Sequence, residues 1–246
     1  MKAYQTSERR FGVEFEVIPD RNHSVDEIKE VLREEGFHIT STGYGHTSDK
    51  HRYWTIKPDG SLTRGGFEIV SPILKGAAGL AAVEKMAQIL SQYCHADGSC
   101  GFHVHHEAVD FDGSKLKAVY RAYQAVQIAL EMEVLDDSRI RNTYCRPLPI
   151  GTLITESIRR LDRYHAVNFR AFSSFGTLEF RQYQGTVNAA KALAWVIFTQ
   201  ALMEYALAVK TISTTPSKKF KNVVENRLYL TGENLKKVMV LADKQQ

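Results

Sequence analysis

Phe11, Val13, Phe15 and Val17 alternate with Gly12, Glu14 and Glu16, the period of two that predicts a half-buried strand over 9–18. One face is apolar and the other carries two carboxylates. Ser24 and Glu27 stand at capping-box spacing, and Val25, Ile28, Val31 and Leu32 follow at helical intervals up to Gly36. Residues 37–42 then read as a strand and 43–50 as an exposed loop. Strands over 53–57 and 67–71 flank Pro58-Asp59-Gly60-Ser61, whose first three residues are turn formers. Glu68 lies between Phe67 and Ile69, so this hairpin also lends an acid to one face.

Leu80, Val83, Met86 and Leu90 space a helix over 76–93, expected to cover the apolar side of the sheet. In the strand that follows, over 100–107, His103 and His105 share a face opposite Phe102 and Val104. A long helix over 114–137 carries Leu116, Val119, Tyr120, Tyr123, Ile128, Leu130 and Val134. Beyond Pro147 and Pro149 the pattern gives a short helix over 152–161 and strands over 166–172 and 177–183. On the last of these, Glu179, Arg181 and Tyr183 alternate with Leu178 and Phe180. A helix from Asn188 onward closes the domain. Residues 213–221 read as a linker to a final helix over 233–242, giving one domain over 1–212 and an appendage over 213–246.

The 246 residues can bury a sizeable core, and 43% hydrophobic with 24% charged residues is ordinary for a globular chain. A net charge of +4 is too small to argue for nucleic-acid binding. Arginine groups such as 139, 141 and 146, or 159, 160 and 163, could face an anion or simply be solvated. Three cysteines without a CxxC pair indicate buried thiols in a reducing cytoplasm rather than a disulfide framework. No apolar signal segment is expected at the N-terminus. The apolar stretch 189–209 contains Lys191, Gln200 and Glu204, so it reads as a core helix and no membrane partner is expected.

Two carboxylates about 6.6 Å apart on one strand face repel unless a cation lies between them. Solvated surface acids are the alternative for any single pair, and a paired histidine couple is the alternative for His103 and His105. Collected together, Glu14, Glu16, Glu68, His103, His105, Glu179 and Arg181 form a polar set carried on strands. Carboxylate oxygens suit magnesium or manganese, and imidazole favours manganese at one site. Four acids exceed the needs of one ion, so two or three ions bridged by a polyphosphate would balance the charge. Arg181 beside those acids would oppose cation binding unless an anion lies there too. Metal ions and a guanidinium around a moving phosphate are the requirements of phosphoryl transfer. Glu179 and Arg181 could instead form a salt bridge, and Asp59 could be only a turn residue. The zinc protease motif HExxH needs a helix, and a cupin would continue into hairpins, so both fit less well.

The chain resembles the amidoligase family, relatives of glutamine synthetase and glutamate-cysteine ligase. The resemblance is carried by FGVEFEV at 11–17, DGSL at 59–62, GFEIVSPIL at 66–74, CGFHVH at 100–105 and LEFRQYQGT at 178–186. It implies an α+β, glutamine-synthetase-like catalytic fold, a curved and mainly antiparallel sheet with helices on its outer face. It also implies that Glu14, Glu16, Glu68, His103 and Glu179 bind Mg2+ or Mn2+ and that His105 and Arg181 lie near the phosphates of ATP. Arg163 and Asn168, in RYHAVNF, resemble the family pattern and are expected near phosphate or substrate. His106 stands where an apolar residue is more usual. The implied reaction joins a carboxylate to an amine through an acyl phosphate, with metals and Arg181 stabilising the transferred phosphoryl. Asp59 is the candidate to guide or accept the proton that the amine must lose. Small-molecule or peptide carboxylates and amines are the expected partners. A metal-dependent phosphohydrolase or phosphotransferase, or a non-catalytic nucleotide-binding module, remains an alternative.

Overall fold

The computed structural model describes residues 7–42, 52–63, 65–140, 142–149, 158 and 161–208. The expected loop over 43–50, most of the short helix over 152–161, and the linker and final helix beyond 212 lie outside the described residues. The fold is α+β, with a mixed, mostly antiparallel open sheet and helices. The described residues fall into two compact units, one within 1–104 and 183–193 and the other within 105–182 and 194–208.

In the first unit, β1 (Phe11–Pro19) pairs antiparallel with β4 (Phe67–Val70), which pairs antiparallel with β3 (Trp54–Pro58). β2 (Ile39–Ser41), reached through α1 (Val25–Glu34), pairs parallel with β3. Ser24 caps α1 by accepting from the Glu27 N–H at 3.1 Å, as its spacing predicts. The helix α2 (Gly76–Tyr93) leads into β5 (Cys94–His95), which pairs with the end of β1, and then into β6 (Phe102–Glu107). Phe11, Val13, Phe15 and Val17 are all at most 3% exposed. The apolar side of β1 is therefore core, with the Phe15 and Phe102 rings 4.7 Å apart. Gly185 permits a close approach: its N–H donates to the Cys100 carbonyl at 2.9 Å, and a Cβ there would lie 2.4 Å from that of Cys100. No larger residue fits without moving backbone.

In the second unit, α3 (Gly113–Glu133) begins at Asp112, whose carboxylate accepts from Ser114 and Lys115 N–H at 2.8 and 2.9 Å. Tyr120 and Tyr123 are fully buried, with Tyr120 against Phe169 and Tyr123 against Phe180. Ile128, counted among the apolar positions of the helix, is instead 56% exposed. The helix stops at Glu133, short of 137, and a separate turn α4 (Asp137–Ile140) follows.

The strand expected over 166–172 is corrected to a two-residue β7 (Val167–Asn168) followed by the helix α5 (Arg170–Phe175). Asn168 Oδ1 accepts the Arg170 N–H at 3.0 Å and turns the chain out of the ladder. Gly176 ends α5 at φ +67°, a left-handed position that suits glycine. The strand β8 (Thr177–Phe180) is likewise shorter than expected, so Arg181 lies just beyond it. The last described helix, α6 (Ala189–Ala208), is the expected core helix: Ala192, Trp195, Val196, Leu202 and Met203 are all nearly or fully buried. Among the described residues no helix is long and apolar enough to cross a membrane.

Candidate functional site

The residues of the polar faces fall into two groups, one in each unit. In the first, β1 and β4 pair with Glu16 directly opposite Glu68, and β3 places Lys57 opposite Glu68 on its other side. Directly paired residues project from the same face, so this register gathers two acids and an ammonium in one row. Glu14 joins them through a hydrogen bond to Glu68, and Lys57 Nζ lies 3.0 Å from Glu68 Oε2. On β6, His103 turns Nδ1 to Glu14 Oε2 at 3.2 Å and Nε2 towards Glu16 Oε1 at 3.6 Å. Glu16 Oε2 also accepts the Gly101 N–H at 2.5 Å.

Burial, and then the charge of Glu14, push the Glu68 carboxyl well above the usual carboxylate range. Burial works against the Lys57 ammonium, but Glu68 and Glu14 outweigh it and raise Lys57 above its ordinary value. Three carboxyl groups, two of them at 7% exposure, thus share one lysine and one imidazole. Their oxygens and the histidine nitrogen form a donor set suited to a hard divalent ion. The ring of His103 lies between Glu14 and Glu16, so an ion taking both carboxylates would displace it.

This arrangement sets a pH dependence. A carboxyl raised in the folded state binds more protons there than in the unfolded chain, so its contribution falls as pH rises through the folded value. Glu68→Gln should therefore gain stability over wild type, by an amount that grows as pH rises above the ordinary carboxylate range. Urea titrations of both proteins at a series of pH values, in chelator, measure this. A constant difference would mean that Glu68 stays ionised throughout.

In the second unit, β7 and β8 pair with Asn168 opposite Glu179. Asn168 Nδ2 accordingly donates to Glu179 Oε2 at 2.6 Å, and Glu179 Oε1 accepts from the Arg181 guanidinium. His105 Nε2 lies 3.8 Å from Glu179 Oε1, while its Nδ1 meets Thr177 Oγ1 at 3.0 Å. Arg181 Nε donates to the Tyr144 carbonyl at 3.2 Å, which aims the guanidinium. Its backbone is held as well: Arg139, only 2% exposed, donates to the Arg181 and Gln182 carbonyls at 2.8 and 3.4 Å. Glu179, Asn168, His105 and Arg181 therefore form one charged, hydrogen-bonded group.

Arg163 is exposed and lies over the Tyr164 ring at 4.9 Å; no described contact joins it to Glu179. Asp59 Oδ1 accepts from Ser61 N and Oγ at 2.8 and 2.6 Å, which makes it the closing residue of the β3–β4 turn. His106 is buried, with Nε2 2.8 Å from Thr199 Oγ1 and its ring against Phe180, on the face opposite His105. All three cysteines are buried free thiols, and burial raises Cys94 to about 12 and Cys100 to about 11. Lys57 and Thr177 carried no expectation, and Arg139, expected to face an anion or be solvated, is instead buried against backbone carbonyls. Lys57 was legible in principle, because a hairpin closed at Asp59 brings residues 57 and 68 together.

The family model described as "Putative amidoligase enzyme" matches residues 7–157 and 150–203, well over half of the 246 residues. No curated protein matches the chain.

Proposed function

The chain belongs to the amidoligase family, and from that premise we propose that this ligase joins a carboxylate to an amine at the expense of ATP, with divalent metal ions. The observation that carries this reading is the buried carboxyl group of Glu68, held beside Glu14 and opposite Glu16. Such crowding of acids destabilises the empty protein and is relieved by a cation. Glu14, Glu16, Glu68, His103 and Glu179 would hold two or three Mg2+ or Mn2+ ions. Bound there, the ions would neutralise the charge on the nucleotide phosphates.

His105, Arg181 and Asn168, with Arg163, would face the phosphates of ATP. Arg181 is fixed at its backbone and side chain, so it can meet charge developing on the transferred phosphoryl without reorganising. The substrate carboxylate would attack the γ-phosphorus and release ADP, giving an acyl phosphate. The amine would then attack the acyl carbon and expel phosphate. A glutamine-synthetase-like sheet and a cytoplasmic setting belong to the same reading, the latter supported by the three free thiols.

Calorimetric titration of ATP with Mg2+ or Mn2+, and with chelator, is the direct test. ADP release is then measured against mixed carboxylates and amines. Metal-dependent binding, with ADP formed only when both substrate classes are present, is the expected result. ADP released without an amine would favour hydrolysis, and absence of metal-dependent binding would sink the reading.

A further inference from the structure

An open cleft of about 830 Å³ lies at the far end of β1. Its apolar walls are Ile18, Pro19 and Val25, and its polar groups include Asp20, Arg21 and His95. It adjoins the acid row by strand geometry. Glu14, Glu16 and Ile18 follow one another on one face of β1, about 6.6 Å per step. Ile18 is paired directly with His95 on β5, which puts His95 on that same face.

His95 Nδ1 lies 2.7 Å from Asp20 Oδ1. The Asp20 carboxylate can only accept, so Nδ1 is the donor in this contact and Nε2 is the ring nitrogen left for a ligand. Both side chains are nearly half exposed, 46% for His95 and 47% for Asp20, so a ligand can reach them. Nearby charges are Asp97, which follows on the loop after β5, and Arg21 and His23, which precede α1. His23 is itself engaged by Glu27 at 3.1 Å.

Resting on the ligase reading above, we infer that this cleft receives the acceptor amine and that His95, oriented by Asp20, takes its proton. The amine arrives as an ammonium. One N–H proton passes to His95 Nε2, and the resulting imidazolium faces the Asp20 carboxylate. The freed nitrogen lone pair forms the C–N bond to the acyl carbon as the C–O bond to phosphate breaks, and the departing phosphate takes the second N–H proton, leaving a neutral amide. The apolar walls disfavour an ammonium against a neutral amine, and so assist the transfer. Arg21 suits a carboxylate, so the acceptor class that fits best is an amine bearing its own carboxylate, an amino acid or peptide. Asp59 is the less suitable proton acceptor, since one of its oxygens already closes a turn.

Hydroxylamine separates the steps, because it attacks an acyl phosphate at neutral pH as an uncharged nucleophile and needs no base. The full chain, with ATP and Mn2+, is supplied with the twenty amino acids and simple dicarboxylates as carboxyl donors. Hydroxylamine is the acceptor in one arm and amino acids are the acceptors in the other. His95→Gln should lose amide formation about 100-fold more than hydroxamate formation, and Asp20→Asn should show the same split to a smaller extent. Arg21→Ala should raise KM for amino-acid acceptors and leave kcat in place. Equal effects of His95→Gln on both arms, or no effect on either, would overturn the inference and leave the ligase reading intact. Absence of both products from the wild-type protein would overturn the ligase reading, and the inference with it.

Discussion

Glu14→Gln and Glu179→Gln should each weaken metal-dependent ATP binding at least about 100-fold, since groups that merely support a metal ligand already cost 10- to 100-fold. An amide oxygen is a weaker donor to a hard cation than a carboxylate, and the substitution removes a full negative charge. The two variants should differ in the absence of ligand. Glu14→Gln removes a charge that Glu68 opposes, so thermal stability should hold or rise. Glu179→Gln turns an NH2 group towards either the Asn168 amide or the Arg181 guanidinium, both of them donors, so stability should fall. Calorimetry with and without Mn2+, alongside thermal melts in chelator, reads both effects. Wild-type affinity in both variants would remove the metal site from the account.

Arg181→Ala should leave the affinity for metal and ATP within about threefold of wild type and lower kcat about 100-fold, the scale seen when one fixed donor to a transition-state charge is removed. The reason is geometric. Contacts with Glu179 and the Tyr144 carbonyl aim the guanidinium before any ligand arrives, so its contribution is made in the transition state rather than on binding. Loss of this partner leaves the buried Glu179 carboxylate short of a counter-charge, so stability should also fall, by about 3 kcal/mol. ADP release under saturating ATP measures the rate. An unchanged kcat would leave Arg181 as a structural partner of Glu179 alone.

Much of this was legible in the sequence because strand periodicity is strict. Glu14, Glu16, Glu68, His103 and Glu179 alternate with fully buried neighbours, and alternation alone assigns them to one side of each strand. Which acid faces which was not legible, since register depends on turn geometry: the pairing of Glu16 with Glu68 follows from how β1 and β4 align. The misread strand over 166–172 has a local cause, because Asn168 spends its side-chain oxygen on the Arg170 N–H and starts a turn that apolar residues alone do not announce. Arg181 reads as a strand residue for a different reason, its alternation continuing past the last residue of β8. Ile128 fits the helical spacing of α3 and yet faces solvent, because periodicity locates a stripe but not its edge. The cleft at His95 carried no signal, as its residues meet only once β5 pairs with β1.

The acid row also bears on the order in which the chain assembles. Lys57 and Glu68 are brought together across a short hairpin, whose closure takes microseconds and little chain entropy. Glu14 must come from far upstream, since its paired position on β4 is Val70, and loop closure over that span is slower. A hairpin-first order would let Lys57 serve as the counter-ion of Glu68 before the strand bearing two more acids docks beside it.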